Sequence, residues 1–481
     1  MKFNISVEQF VNALTKLNLV IPSHSTLPIL DNIMFDLKGN ELTMLASDLE
    51  IFIRNSVKVE GLEDGEIAMP AKKLLDLARL LVTKFENVIA SVDFEQDVYY
   101  ALNRNEKIAE LLKMNLKYEL SKNTLIYKGI FTLEEKDKIS EILNNEKNSA
   151  DNSEEELKGN IEILIDGIDR LYKEAENISK KMYEKRKIKI DVNEKNKVTI
   201  TSKNGKYTLF GEPVDDFPIP EDRTDLNKME IKSAVLKRFL MKVRHSVKYD
   251  EIRRNMAGVF FDIKKEELRF VATDGFRLSK ILTKNFSHNN PKDDNFIVPL
   301  KTCEMILKLC NDGDSVIEYD NNLIKVIFDN LQIYSKLIDD TFPNYETVIP
   351  KENDKRLKIF KSELQNSLRR ALIFADVITK RVKFEIKNDS LMIKADNPEI
   401  GAEGEEIIEG SFVSDNNDVD FDKEPFVIAF NVGYLLDCLA QMETPEVIFS
   451  FNTPAKASII IPTEQLPGED FMELIMPVRV S

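Results

Sequence analysis

FVATDGFRLSK, Phe270 to Lys280, decides the fold, because its surroundings recur near both ends of the chain. Phe270 to Thr273 is apolar and β-branched and reads as a strand, Asp274-Gly275 is a turn signal, and Arg277 to Leu282 reads as a second strand. Upstream lie an amphipathic helix and a strand in AGVFFDIKKEELRF; downstream come an apolar strand, a short helix and more strands. A repeat of this kind sets the architecture before any single residue does.

In the first copy, Val7, Phe10, Val11, Leu14 and Leu17 recur at helical spacing, and Asn32 to Leu37 and Leu42 to Ala46 read as strands across a Lys38-Gly39-Asn40 turn. Ser47-Asp48-Leu49 stands where Thr273-Asp274-Gly275 stands in the middle copy. The strand Glu66 to Met69 runs into Pro70, which opens a helix over Ala71 to Leu81 with Leu74, Leu77, Ala78 and Leu81 facing inward. The pattern stops near Val82 and resumes at Lys187. Between them the composition shifts to Glu, Lys and Asn, with helix-period segments at Asn105 to Leu116, Leu133 to Leu143 and Leu157 to Met182 and a polar linker at Asn145 to Glu156. This predicts a helical insertion over 83–186, in a loop where added length costs little closure entropy. Whether it is a decoration or a recruiting module is open at this level.

The first copy closes with KVTITSKNGKYTLFGEPVDDFPIPED and the middle one with LIKVIFDNLQIYSKLIDDTFPNYETVIPKE, both giving strand, Asn-containing turn, strand, Asp-Asp, Phe and Pro. The middle copy's first helix is read over Ile231 to Val247, and its second follows Pro299 as the earlier one follows Pro70. The third copy has a helix at Ser362 to Phe374, strands at Lys380 to Ile386 and Ser390 to Ala395, a strand and helix across Phe426 to Leu439, and final strands from Val447 to Val480. The expected fold class is α+β, each repeated domain laying two helices on a largely antiparallel sheet. The expected domains are 1–82 with 187–226, the insertion 83–186, then 227–350 and 351–481. An open array of three units leaves two sheet edges unprotected, and a head-to-tail dimer would remove both; a bent monomer is the alternative.

At 481 residues with 43% hydrophobic side chains, the chain is long enough for about three ordinary domains. MKFNISVEQF lacks a signal-peptide core and no apolar run approaches a bilayer span, which predicts a cytoplasmic protein. Cys303, Cys310 and Cys438 have neither paired spacing nor nearby histidines in sequence, so they read as small apolar residues, with no metal site or cofactor expected. A formal charge of −16 confines any nucleic-acid contact to local patches. His24, His245 and His288 are scattered, and Walker, Rossmann, His-Glu-x-x-His and Gly-x-Ser-x-Gly patterns are absent. Asp215-Asp216 and Asp339-Asp340 could in principle hold Mg²⁺ for a nuclease, but they read as turn formers before Phe and Pro, so no catalytic residue is expected.

TLPIL at Thr26 to Leu30, MPAKKLLDL at Met69 to Leu77, GKYTLFGEPVDDFP, VATDGFRL, FPNYETVIP and the terminal MPVRV resemble the bacterial DNA polymerase III β subunit, the β sliding clamp. The resemblance covers nearly everything except about 82–186. It implies a DNA-clamp fold, a homodimeric ring of six similar domains with helices lining a hole around duplex DNA, and no catalysis. Partners such as the replicative polymerase, the clamp loader and repair proteins would insert a short apolar peptide between the second and third domains. The matching pocket positions are Met256, Thr273, Gly275, Phe276, Arg277, Leu278, Pro343, Val348, Leu474, Met476, Pro477, Val478, Arg479 and Val480. Arg277 and Arg479 would offer donors to that peptide. The dimer seam would fall at Ile373 and Phe374 against Tyr207 and Leu209. Basic residues on the helices, which include Lys72, Lys73, Arg79, Lys237, Arg238, Lys242, Arg369 and Arg370, would face DNA together with His24, Arg254 and Asn255, through phosphate contacts that carry no sequence information. His24, Arg254 and Asn255 depart from the arginine and tyrosines that family members can carry there; Phe276, Thr347 and Ser481 depart at the pocket.

Overall fold

A computed structural model describes residues 1–22, 25, 27–81, 89–93, 118–121, 124–128, 133–149, 155–184, 187–248, 252–290, 292–414 and 421–479. The chain divides into two compact bodies, residues 1–44 with 56–217, and residues 45–55 with 218–481.

In the first body, strand Lys2–Ser6 leads into helix α1 (Val7–Leu17), whose start is fixed by Ser6 Oγ accepting the Gln9 N–H at 3.1 Å. Its buried face is Val7, Phe10, Ala13, Leu14 and Leu17; Val11, read as inward, sits half-exposed one step round the cylinder. Helix α2 (Ala71–Leu81) packs against α1 and buries Ala71, Leu74, Leu75 and Ala78. Leu75 therefore takes the place expected for Leu77 and Leu81, which are half-buried. Strand Lys187–Val192 pairs antiparallel with Lys2–Ser6, Ile190 opposite Phe3, and the sheet continues outward through Lys197–Thr201 to the edge strand Lys206–Phe210.

The insertion is mixed rather than helical. Strands Ile89–Asp93, Tyr118–Ser121 and Thr124–Lys128 form a small antiparallel sheet, and helices α3 (Leu133–Ser149) and α4 (Glu155–Glu184) pack together over Ile139, Leu143, Ile161, Leu164, Ile168 and Leu171. Short apolar runs do not separate strand from helix by pattern alone, which is why these strands escaped the helix-period reading. Of the expected linker, residues 145–149 end α3 and residues 155–156 begin α4; the rest lies outside the described residues. Asn105 to Leu116, expected as helix, lies outside the described residues.

The second body repeats the order strand, helix, five strands, helix, three strands in each of its two copies. In the middle copy Asn227–Lys232 is a strand, and helix α5 (Ser233–Val243) begins after it; Ile231, expected in the helix, pairs with Ser315 instead. Helix α6 (Leu300–Leu309) follows Pro299. The third copy carries helices α7 (Lys361–Phe374) and α8 (Val432–Ala440). Arg277–Thr283 of the middle copy pairs along its whole length with the last strand, Glu469–Ile475, so one sheet runs through both copies. Behind that seam lies a cluster of Phe260, Val271, Leu278, Ile297, Phe342, Tyr345, Met472 and Leu474, with Phe260 and Phe342 stacked at 4.5 Å. Among the described residues no helix is long and apolar enough to cross a membrane.

Candidate functional site

The turn at 273–277 is built by two short side chains. Thr273 Oγ1 accepts the Gly275 N–H at 3.1 Å, and Asp274 Oδ1 accepts the N–H groups of Phe276 at 2.9 Å and Arg277 at 3.0 Å. Gly275 has φ +88°, a left-handed conformation that glycine adopts without a Cβ penalty. Ser47-Asp48-Leu49 makes the same turn with the same bonds, at φ +77° on Leu49, so the equivalence read from the sequence extends to the atoms.

This turn pushes Phe276 outward, 53% exposed, where it stacks on Tyr434 of α8 at 6.5 Å and 25°. Asn431 caps α8, its Oδ1 accepting the Tyr434 N–H at 3.2 Å while its Nδ2 donates to Thr379 O at 2.8 Å. The 376–379 loop is folded by Asp376, whose Oδ1 accepts the Thr379 N–H at 2.7 Å; the N–H and hydroxyl donors hold that carboxyl below its usual range. The C-terminal segment closes the third side: Met476 N–H donates to Phe276 O and Val478 N–H to Ala429 O, each at 2.8 Å. The result is a groove of about 530 Å³ lined by Phe276, Ile378, Thr379, Tyr434, Val478 and Arg479 among others. Apolar surface from Phe276, Ile378, Pro398, Tyr434 and Val478, interspersed with the charged Asp376, Arg381, Asp396 and Arg479, suits a short peptide with both apolar and polar groups.

Of the expected pocket residues, Phe276, Val478 and Arg479 line this groove, and Met476 and Pro477 connect it to the sheet. Thr273, Leu278 and Leu474 are buried beneath the surface, Leu278 and Leu474 within the core cluster. Met256 and Pro343 are half-buried, and Val348 is exposed beside Pro350 and Ala457 in a separate cleft. Val480 lies outside the described residues. Arg277 is not a donor waiting for a peptide. Its Nε meets Asp274 at 3.1 Å, Nη1 meets Asp437 at 2.7 Å and Nη2 meets His245 O at 2.5 Å, with the guanidinium 4.6 Å from the Tyr434 ring centre. It anchors Tyr434 and α8 from below. Ile378 and Tyr434 were missed by sequence reading. The signal available was the apolar pair Val377-Ile378 in an otherwise polar connection, both more than three-quarters exposed.

The basic residues separate into two groups. Lys72, Lys73, Arg79, Lys237, Arg254 and Arg369 are exposed. Lys242, expected to face DNA, is instead 4% exposed, with Nζ 2.6 Å from Gln441 O, 3.3 Å from Glu443 and 4.4 Å from the Phe471 ring centre; burial holds its pKa below the ordinary lysine value. Arg238 is likewise committed to Glu443 at 3.1 Å and to Glu469. Facing carboxylates from the third copy convert both cations into internal fasteners of the second body. Arg370 pairs with Glu406 on the surface, Lys301 with Asp48, and Asn255 Nδ2 donates to Thr341 O at 3.1 Å. His24 lies outside the described residues.

Tyr207 lies on the edge strand of the first body, 38% exposed, with Leu209 half-buried and Phe210 exposed. On the second body Ile373 is 74% exposed at the end of α7, and Phe374 lies against Gly404 of the edge strand Ala402–Glu409.

Profiles of the N-terminal, central and C-terminal domains of the DNA polymerase III beta subunit match residues 1–108, 230–344 and 346–479. The beta sliding clamp of Rickettsia bellii is 30% identical over 287 residues, covering 58% of this chain and 74% of that protein. The chain belongs to the DNA polymerase III beta subunit family. The beta sliding clamp of Vibrio cholerae is 24% identical over 483 residues, spanning all of both chains. A crystal structure of the Pseudomonas aeruginosa sliding clamp bound to griselimycin superposes with TM-score 0.72 at 22% identity, again over all of both chains. As a sliding-clamp chain the protein is a processivity factor of DNA replication rather than an enzyme.

Proposed function

We propose that two copies of this chain close head to tail into a ring around duplex DNA and tether the replicative polymerase, the clamp loader and repair proteins by short apolar peptides seated in the groove over Phe276 and Tyr434. The observation that carries the reading is the groove: exposed Phe276 stacked on half-buried Tyr434, with Ile378 beside them, bordered by a tail whose own backbone is tied down at both Met476 and Val478. A related clamp holds griselimycin, which supports a ligand-binding surface in this fold. The domain bounds 1–82 with 187–226, 83–186, 227–350 and 351–481 belong to the same reading, each clamp domain supplying two helices.

Closure is supported by the two edge strands. Lys206–Phe210 offers Tyr207 and Phe210 with Lys206, while Ala402–Glu409 offers Ile407 with exposed Glu403, Glu405 and Glu409, so apolar contact and charge are complementary. DNA contact rests on the exposed group of cations, Lys72, Lys73, Arg79, Lys237, Arg254 and Arg369, rather than on Arg238 or Lys242.

The test is titration of a fluorescent peptide of the Gln-Leu-x-Leu-Phe type against Phe276→Ala, Ile378→Asp and a chain ending at Ile475. All three are expected to weaken binding by at least about tenfold, the effect of losing a central anchor, while thermal unfolding stays cooperative. Unchanged affinity in folded variants would place the partner site elsewhere.

A further inference from the structure

Beneath the groove, three side chains from separate elements converge. His245 sits in the short turn Arg244–Ser246 after α5, Cys438 on α8 and Glu473 on the last strand, and one ligand-type atom from each lies within 4.8 Å of the other two. Glu473 is completely buried. Its Oε2 accepts a hydrogen bond from Ser279 Oγ at 2.7 Å and lies 3.6 Å from Cys438 Sγ. Its Oε1 lies 3.4 Å from His245 Nε2 but has no hydrogen-bond donor, and His245 Nδ1 is also without a partner. A carboxylate removed from water with one oxygen unsatisfied demands a cation or a proton.

We propose that His245, Cys438 and Glu473 form a binding site for a divalent cation of the zinc type. Imidazole nitrogen, thiolate sulfur and carboxylate oxygen together suit Zn²⁺ or Co²⁺; a cysteine and a histidine among three ligands disfavour Mg²⁺ and Ca²⁺. Two anionic ligands balance the double charge, which leaves the interior neutral. Metal–ligand lengths of about 2.0–2.3 Å place tetrahedral ligands roughly 3.5 Å apart, close to the 3.4 and 3.6 Å at which Glu473 already stands from His245 and Cys438. Ser279, bonded to both Glu473 and Ser246, supplies the next polar layer. The nearby cations are already compensated, Arg277 by Asp274 and Asp437 and Lys242 by Glu443. Such an ion would fasten α8, which carries Tyr434, to the strand that leads into the 476–479 tail, and so brace two sides of the groove.

The experiment uses the full chain, reduced and stripped with a chelator, then titrated with Co²⁺. The expected result is a single Co²⁺ per chain with tetrahedral visible bands and a near-ultraviolet thiolate-to-cobalt charge-transfer band, both abolished by Zn²⁺. Cys438→Ser removes the charge-transfer band, Glu473→Gln and His245→Phe lower affinity by at least about tenfold, and Cys310→Ala leaves the spectrum intact. Glu473→Gln preserves side-chain shape, so far-ultraviolet circular dichroism on that variant separates lost metal from lost fold. A six-coordinate spectrum like that of the free ion, or a charge-transfer band that survives Cys438→Ser, overturns the proposal.

Discussion

Leu278 and Phe276 stand two residues apart, but only Leu278 belongs to the strand Arg277–Thr283; Phe276 sits in the turn that Asp274 folds and is carried out to the surface. Leu278 is buried in the cluster with Phe260 and Leu474, so Leu278→Ala is expected to cost about 2–5 kcal/mol in urea denaturation, as large-to-small core changes do. Its effect on peptide binding would be entangled with that loss, which is why Phe276 is the better probe of the groove. Lys242 gives a pH signature. Burial lowers its folded pKa from 10.5, so the unfolded chain binds more protons in the window between the two values, and stability rises with pH there until 10.5 is passed. Urea midpoints measured from about pH 8 to about pH 10 should therefore rise more steeply in the wild type than in Lys242→Met, which lacks the titrating group. Equal slopes would show that Lys242 is solvated in solution.

Among the elements, the insertion is the one that the repeat does not require. Strand Lys187–Val192 pairs with Lys2–Ser6 directly, and α2 packs on α1, so the first body's sheet and helix pair are complete without residues 84–184. Deleting them and joining the ends with a short Gly/Ser linker is expected to leave a cooperative thermal transition and an unchanged oligomeric state, the mass falling only by that of the deleted residues. A broad, non-cooperative melt would mean that the insertion's own core supports the sheet. That core is separate in kind: its helices are fastened by Lys136 to Asp169 at 3.0 Å and by Ile161, Leu164, Ile168 and Leu171 in α4.

At the scale of the assembly, Ile373 is the position where a change should alter association without touching the fold. It is 74% exposed, whereas Phe374 is partly used against Gly404. Ile373→Asp places a charge where burial would otherwise gain roughly 25 cal/mol per Å². Light scattering should report half the wild-type mass, with an unchanged melt. The same variant should lose retention on closed circular DNA, while the wild type stays on circles and leaves linear DNA by its ends in moderate salt. A dimeric Ile373→Asp, or equal wild-type retention on circular and linear DNA, would contradict the ring.

Local sequence determined what depends on neighbours along the chain: the three copies, the helices after Pro70 and Pro299, and the Asp48 and Asp274 turns, because capping, pleat and turn chemistry act over a few residues. Tertiary structure alone decided what depends on residues brought from afar. It assigned Arg238 and Lys242 to carboxylates of the third copy, turned Arg277 inward to Asp437, and set Ile378 and Tyr434 beside Phe276. It also placed Cys438 next to His245 and Glu473, a juxtaposition that no spacing rule contains. A charge or a thiol reads the same in sequence whether it meets water or a partner, and only packing, by removing the water, makes that choice.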